Sequence, residues 1–387
     1  MSDAYRYSCF LSSLSVSFYK HSLIKIMTEI RIGSRIIGPG HPCYIISEIG
    51  SNFDGDLQRA KDLAKLSKEL GADAFKIQNF LAPKIVSNAG FKNLQVAFQS
   101  KWDKPVVEVY RKAEFPREWI QEIADYCKEI DIDFFSSPYD IEAVDQLEQI
   151  GVQAHKIGSG EIDNLEFLAY VARTGKPMII GCGAATMEEI EAAVKTIRGE
   201  GNEKIILLQC VTNYPSPIKD SNILAMNVMK DAFGVQVGYS DHTIGAAGGA
   251  DDPLNGLTVP LGAVALGACM IEKHFTDDRT RKGPDHPFAM NPVEFKAMVD
   301  GIRAMEQALG DGQKKLMPSE QQTVIIQRRG IYAIRDIAPG EVITHDMVEF
   351  LRPAVGLRPP EIDRVVGHSL NKAVAAGEPL KAEDLNG

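Results

Sequence analysis

From residue 43 onward the chain repeats one pattern eight times: a short apolar run ending in polar residues, then a stretch with helical spacing. The runs are CYIISEIG (43–50), DAFKIQNF (73–80), IDFFSSP (132–138), AHKIGSGE (154–161), PMIIGCG (177–183), KIILLQC (204–210), VQVGYSDH (235–242) and MIEKHF (270–275). Between them, stretches such as LQRAKDLAKLSKELGA (57–72) and MEEIEAAVKTIRGE (187–200) place apolar residues three and four apart, the mark of a helix with one buried face. Near-continuous apolar strands alternating with helices predict a parallel sheet covered on both faces. Eight units fit a closed (β/α)8 TIM barrel better than an open doubly wound sheet, which would want GxGxxG where the first turn reads EIGSNFDG.

Two stretches interrupt the rhythm. Residues 81–115 form a long polar and aromatic insertion of the kind that shapes a barrel mouth, and GAAGGADDPLNG (245–256) is rich in glycine. After the last helical stretch (293–310), the polar DGQKKLMPSEQQ (311–322) opens a linker, and the character changes to short strands and turns with two similar turns, PGE and AGEPL. The expected division is a barrel over 28–312, a linker over 313–327 and a small β-rich domain over 328–387. Residues 1–27 read as a disordered or non-native extension, since MTEIRIG at 27 resembles a start and the stretch before it lacks the layout of a secretory signal.

A net charge of -10 with no Lys/Arg block argues against a nucleic-acid or anionic-membrane partner. No apolar run approaches the ~20 residues of a membrane helix. Six cysteines without a CxxC pair suit a reducing cytoplasm rather than a disulfide framework or zinc site.

Barrel enzymes build their sites at the carboxyl ends of the strands. Read in order, those ends carry Glu48 and Asn52; Lys76 and Gln78; Ser136 and Ser137; Lys156, Ser159 and Glu161; Gly181-Cys182-Gly183; Thr212, Asn213 and Tyr214; Ser240, Asp241 and His242; Glu272, His274 and Asp277. Two inward lysines with several hydroxyls suit a small phosphorylated anion, and two histidines on adjacent strands suit a divalent metal. A single such residue is more often structural. So many polar tips on one barrel must be paired or used.

The stretches SEIGSNFDG, FKIQ, FSSPYD, HKIGSGEIDN, QCVTNYPSP, GYSDHT, GAVALGACMIEKHFT, GPDHPFAMNP and RRGIYAIRDIAPGE…FLRP resemble, in order and spacing, the N-acetylneuraminate (sialic acid) synthases over about residues 30–385. The resemblance implies a divalent metal, Mn2+ by default with Mg2+ or Co2+ as alternatives, on His242 and His274. It implies phosphoenolpyruvate on Lys76, Ser137, Lys156, Ser159, Thr212 and Ser240, and an acid/base role for Glu48. Sugar contacts would come from Gln78, Glu161, Tyr214 and Asp285, and from Arg352 of a C-terminal antifreeze-like (SAF) domain reaching over a partner in a domain-swapped homodimer.

The implied reaction joins phosphoenolpyruvate to an N-acetylated amino sugar, N-acetylmannosamine by default, to give a nonulosonic acid and phosphate. The alternative is a di-N-acetylated deoxy sugar leading to legionaminic or pseudaminic acid. Three departures stand out: Gly181-Cys182-Gly183 where Ser-Thr-Gly is usual, Asn52-Phe53 where Asn-His is common, and Val211-Thr212-Asn213 where Thr-Asn or Thr-Ser is expected. Rival readings are a related barrel making a Kdo-type or heptulosonate product, a Schiff-base sialic acid aldolase using Lys76 or Lys156, and a non-enzymatic carbohydrate-binding barrel.

Overall fold

The computed structural model describes residues 29–92, 94, 104–244, 252 and 254–386. The expectation for the N-terminal extension, most of the 245–256 insertion and part of the 81–115 insertion fall outside them. The chain divides into two compact units, residues 1–310 and 311–387.

In the first unit a hairpin, β1 (Ile30–Ile32) and β2 (Arg35–Ile37), precedes a sheet of eight parallel strands. These are β3 (Tyr44–Glu48), β4 (Ala74–Asn79), β5 (Asp133–Pro138), β6 (His155–Ile157), β7 (Met178–Gly181), β8 (Ile205–Gln209), β9 (Gln236–Asp241) and β10 (Met270–His274). Strand β10 pairs with both β9 and β3, so the last strand returns to the first. Strands β5 and β6 are neighbours without ladder hydrogen bonds and complete the ring. Eight helices follow the strands in turn: α1 (Leu57–Glu69), α2 (Ile120–Glu129), α3 (Ile141–Ile150), α4 (Leu165–Ala172), α5 (Met187–Gly199), α6 (Ala225–Phe233), α7 (Thr258–Ala265) and α8 (Pro292–Leu309). The expected (β/α)8 barrel is the fold of this unit.

Local chemistry sets the helix ends. Asp56 caps α1 by accepting from the amides of Gln58 and Arg59, and Thr186/Glu189 and Asn291/Glu294 form reciprocal capping boxes on α5 and α8. Helices α3 and α6 stop where Gly151 and Gly234 turn left-handed.

Alternation along each strand decides what faces inward. Ile45, Phe75, Ile77, Ile180, Leu207 and Ile271 pack outward against the helices. Tyr44, Ile46, Ala74, Phe135, Ala154, Ile179, Ile206, Leu208 and Met270 form the inner layer with Ile30, Ile32 and Ile37, so the hairpin plugs the amino end of the barrel. Each such buried Ile contributes roughly 1.5–3 kcal/mol relative to exposure. The next inward position on most strands is polar: Glu48 after Ile46, Lys76 after Ala74, Ser137 after Phe135, Lys156 after Ala154, Ser240 after Gly238 and Glu272 after Met270. An apolar floor thus lies under a charged layer at the carboxyl end.

The described part of 81–115 forms short helices at Ala82–Ile85, Asn88–Lys92 and Val106–Arg111. Phe53 is buried with its ring 4.8 Å from that of Phe115, consistent with a loop anchor. The cysteines among the described residues are buried and unpaired, and no helix there is long and apolar enough to cross a membrane.

The second unit contains helix α9 (Gln321–Gln327), within the stretch expected as linker, and an antiparallel pair β11 (Gly330–Ala333) and β12 (Val348–Leu351). Its own core includes Ile331, Ile337, Ile343, Val365, Leu370, Val374 and Leu380. The two similar turns share their chemistry. Glu341 accepts from the Ala338 amide (3.0 Å), Glu378 accepts from the Ala375 amide (3.3 Å), and Ile337 bridges Val374.

Between β9 and β10, on the outward side, the Lys273 ammonium donates to Asp241 at 2.6 Å and to the Thr243 carbonyl. Asp241 also accepts from the Thr243 amide and hydroxyl, at 2.9 and 3.0 Å. Both members of the pair are buried, so removing one strands the other. Lys273→Met is expected to destabilise the protein by about 3–5 kcal/mol. Asp241→Asn/Lys273→Met should recover part of the loss, read as the unfolding midpoint of the full chain.

Candidate functional site

The charged layer is one connected cluster. Lys76 pairs with Glu48, lies 3.7 Å from Glu272 and donates to Ser137 Oγ at 3.2 Å. The Lys156 ammonium is 3.3 Å from the other Glu272 oxygen, which also accepts from the Ser240 hydroxyl at 2.9 Å. Glu48 Oε1 accepts from the Gly50 amide at 2.6 Å and from Gln78 at 3.3 Å. The four charged side chains are all buried. Of the residues expected to meet phosphoenolpyruvate, Lys76, Ser137, Lys156 and Ser240 come together here, joined by Glu48 and Gln78.

The two carboxyls are pushed in opposite directions. Burial raises Glu48, against the pull of Lys76 and with a further push from Glu272. Burial also acts to raise Glu272, but Lys156, Lys76 and the Ser240 hydroxyl outweigh it and hold it well below the usual carboxylate range. Paired carboxyls with diverging proton affinities have different chemical aptitudes: Glu48 can carry a proton, and Glu272 is a fixed anion. Lys76 loses affinity for its proton through burial and more than regains it from Glu272 and Glu48. Glu272 was visible only as a strand tip. The signal for its role is alternation, which puts it inward with His274 two residues on.

His242 and His274 stand beside this cluster with ring centroids 5.6 Å apart. His242 Nδ1 lies 2.7 Å from the Val211 carbonyl. A carbonyl only accepts, so Nδ1 carries the hydrogen and Nε2 keeps its lone pair. Burial lowers His242 to about 4 and, together with His242 and Lys76, takes His274 well below its ordinary value, so both rings are neutral. His274 Nδ1 is buried without a hydrogen-bond partner among the described residues. Neutral rings, one with a fixed tautomer, are what a divalent ion of the Mn2+, Co2+ or Zn2+ kind accepts as ligands. Among the described residues no group of three His, Cys, Asp or Glu gathers for a metal. Among the described residues these two imidazoles would be the ligands, with water or substrate oxygens at the other positions.

Tyr214 covers this pair, its ring 4.2 Å from His242 and 5.8 Å from His274. Phe288, which the sequence reading did not single out, packs 4.9 Å from His274 and 5.1 Å from Tyr214. Asp285 accepts twice from Ser51. Glu161 is half-buried on the turn after β6, and Arg352 is exposed after β12 in the second unit.

In Gly181-Cys182-Gly183, the departure at 181 has a steric counterpart, and Gly183, which the usual pattern shares, is crowded as well. A Cβ on Gly181 would lie 2.6 Å from Ser159 Oγ, and one on Gly183 would run into Thr212 Oγ1 and sit 2.6 Å from Cys210 Sγ. Ser159 accepts from the Gly183 amide at 3.1 Å and lies 3.1 Å from Cys210 Sγ. The hydroxyls of Ser159 and Thr212 thus crowd the corner that side chains at 181 and 183 would fill. Cys182 is buried packing.

Comparison with known proteins identifies the family of the chain. A model described as the NeuB family matches residues 63–314, and one described as the SAF domain matches residues 328–386. An N,N'-diacetyllegionaminic acid synthase of Campylobacter jejuni is 37% identical over 330 residues, covering 85% of this chain and 96% of its own. A pseudaminic acid synthase of Helicobacter pylori is 35% identical over 345 residues, covering 89% and 98%. The crystal structure of an N-acetylneuraminic acid (sialic acid) synthetase from Leptospira borgpetersenii superposes with a TM-score of 0.66 at 31% identity, covering 77% of this chain and 95% of the other. With the family's model matched over most of the barrel and relatives above 30% identity along nearly their whole length, the chain belongs to the NeuB family and carries a C-terminal SAF domain.

Proposed function

We propose that the barrel condenses phosphoenolpyruvate with the open-chain aldehyde of an N-acetylated amino sugar. The carrying observation is the convergence of buried Lys76 and Lys156, with Ser137 and Ser240, beside a pair of neutral imidazoles. Two ammoniums answer the carboxylate and phosphate of a small dianionic or trianionic substrate, and the hydroxyls supply direction. In the reaction the methylene carbon of phosphoenolpyruvate bonds to the aldehyde carbon, water adds at the adjacent carbon, and phosphate leaves by C–O cleavage. Glu48, the carboxyl whose proton affinity is raised, manages the proton. Glu272 holds both lysines and Ser240 in place. His242 and His274 would hold a divalent ion, which when bound supplies Lewis-acid polarisation of the aldehyde oxygen.

The Schiff-base reading fits less well. A nucleophilic lysine needs a lowered pKa, whereas Lys76 is raised and Lys156 is paired with Glu272.

For the sugar, the relatives support the di-N-acetylated alternative over N-acetylmannosamine. Those named for legionaminic and pseudaminic acid share 37% and 35% identity with this chain, against 31% for the sialic acid synthetase of known structure. Arg352 of the SAF domain is proposed to contact the sugar across a homodimer, as the resemblance implies.

Three measurements follow. With Mn2+ and phosphoenolpyruvate present, phosphate release is expected with a 2,4-diacetamido-trideoxyhexose and to be weaker with N-acetylmannosamine; release with neither sugar sinks the reading. His242→Ala and His274→Ala should each weaken Mn2+ binding by calorimetry, at least on the order of the 10–100-fold that loss of a supporting partner costs a metal site. Glu272→Gln removes the anion that competes for both lysines, so added inorganic phosphate should raise the variant's unfolding temperature more than it raises the parent's.

A further inference from the structure

Two loops meet over one side of the barrel mouth, the turn after β3 and the segment after β10, and they are joined at several points. The amide and hydroxyl of Ser51 both donate to Asp285 Oδ2, at 2.7 and 2.9 Å. The Asn52 side chain donates to the Phe275 carbonyl at 2.9 Å. Arg59, on α1, makes a bidentate pair with Asp277 at 2.7 and 2.5 Å and donates its Nε to the Asn52 carbonyl at 2.8 Å. Buried His286 spans Thr276 Oγ1 (2.8 Å) and Asp54 Oδ1 (2.9 Å). The carboxylate only accepts, so Nε2 carries a hydrogen toward Asp54.

The closeness of the two loops depends on Gly50. Its φ is +49°, and a Cβ there would run into Asp285 Oδ2. The same turn donates the Gly50 amide to Glu48 at 2.6 Å. Consecutive amides, Gly50 and Ser51, therefore hold two different carboxyl groups: Glu48, assigned the proton, and Asp285, assigned to the sugar. Ser51 uses both lone pairs of Asp285 Oδ2, so a sugar hydroxyl is met by Oδ1.

We propose that Ser51 is a positioning residue for the amino-sugar substrate, fixing Asp285 relative to Glu48, with Arg59 and His286 locking the two loops that carry them. This rests on the assignment of Asp285 to the sugar under the proposed function. The argument is geometric: the sugar's reacting carbon has to lie near Glu48 while its hydroxyls are held by Asp285, and one rigid turn sets the separation. Phosphoenolpyruvate meets Lys76, Lys156 and Ser240, which none of these links touches.

The test is steady-state kinetics on full-length variants, with each substrate varied in turn and phosphoenolpyruvate binding followed by thermal shift. Asp285→Asn should raise the sugar KM; an unchanged value overturns the sugar assignment itself. Ser51→Ala should raise the sugar KM on the order of ten- to a hundredfold. The phosphoenolpyruvate KM should stay within about twofold, since a change confined to one substrate's KM marks binding lost at that substrate alone. Ser51→Thr, which keeps a hydroxyl, should recover much of the loss. If Asp285→Asn is impaired and Ser51→Ala is not, the positioning role is wrong. Equal loss for both substrates makes Ser51 merely structural and also overturns it. Should Ser51→Ala fail to fold, Arg59→Lys, which keeps the charge but loses the bidentate geometry, must show the same split between the two substrates.

Discussion

Four charged side chains, Glu48, Lys76, Lys156 and Glu272, lie buried at the carboxyl end of the barrel, and they must neutralise one another before any ligand arrives. An isolated charge at that depth costs several kcal/mol even after relaxation. Neutrality accounts for the short links among the four, for the opposite displacement of the two carboxyls, and for the Ser137 and Ser240 hydroxyls turned toward them. The imidazoles nearby stay uncharged chiefly because they are buried, and His242 and Lys76 push His274 further in the same direction. Under the proposed function, the charges of an anionic substrate would take over the lysines that Glu272 holds.

The balance depends on the layer below it. The inward positions near the amino end are apolar and sealed by the β1–β2 hairpin, so the lysines are kept from water on that side and extend upward. Gly238 is part of this fit: a Cβ there would run into the Met270 carbonyl and sit 2.8 Å from Leu208. The outward Lys273–Asp241 pair plays the matching part on the other side of the sheet, holding Thr243 and so the backbone on which His242 stands. Apolar floor, charged layer and outer ion pair all follow from one alternation of side chains along the strands.

That alternation is also why the barrel and much of the site could be read from the sequence. Eight apolar runs announce the strands, and their polar ends name Glu48, Lys76, Lys156, His242 and His274 without reference to any coordinate. Glu272 was harder. It sits inside MIEKHF beside Lys273, and only the inward or outward direction of each separates a member of the site from a structural ion pair. The hairpin escaped because β1 and β2 are three residues each, too short to show a period. Contacts such as Ser51 with Asp285 span 234 positions, and nothing local in SEIGSN records the partner.

The corner of strands β7 and β8 shows how a departure from a family pattern is read physically. Losing hydroxyls at 181 and 182 suggests a weakened anion site when residues are compared one position at a time. In three dimensions Ser159 and Thr212 occupy the volume that side chains at 181 and 183 would need, and Cys210 lies against both Ser159 and the Gly183 position. Gly181 leaves room for the Ser159 hydroxyl, and Gly183, which the usual pattern also has, leaves room for that of Thr212. The Gly183 amide, which could have met an anion directly, is used on Ser159 instead. Substitutions here have to be judged as a set of residues 159, 181, 183, 210 and 212, because changing one alters the space available to the others.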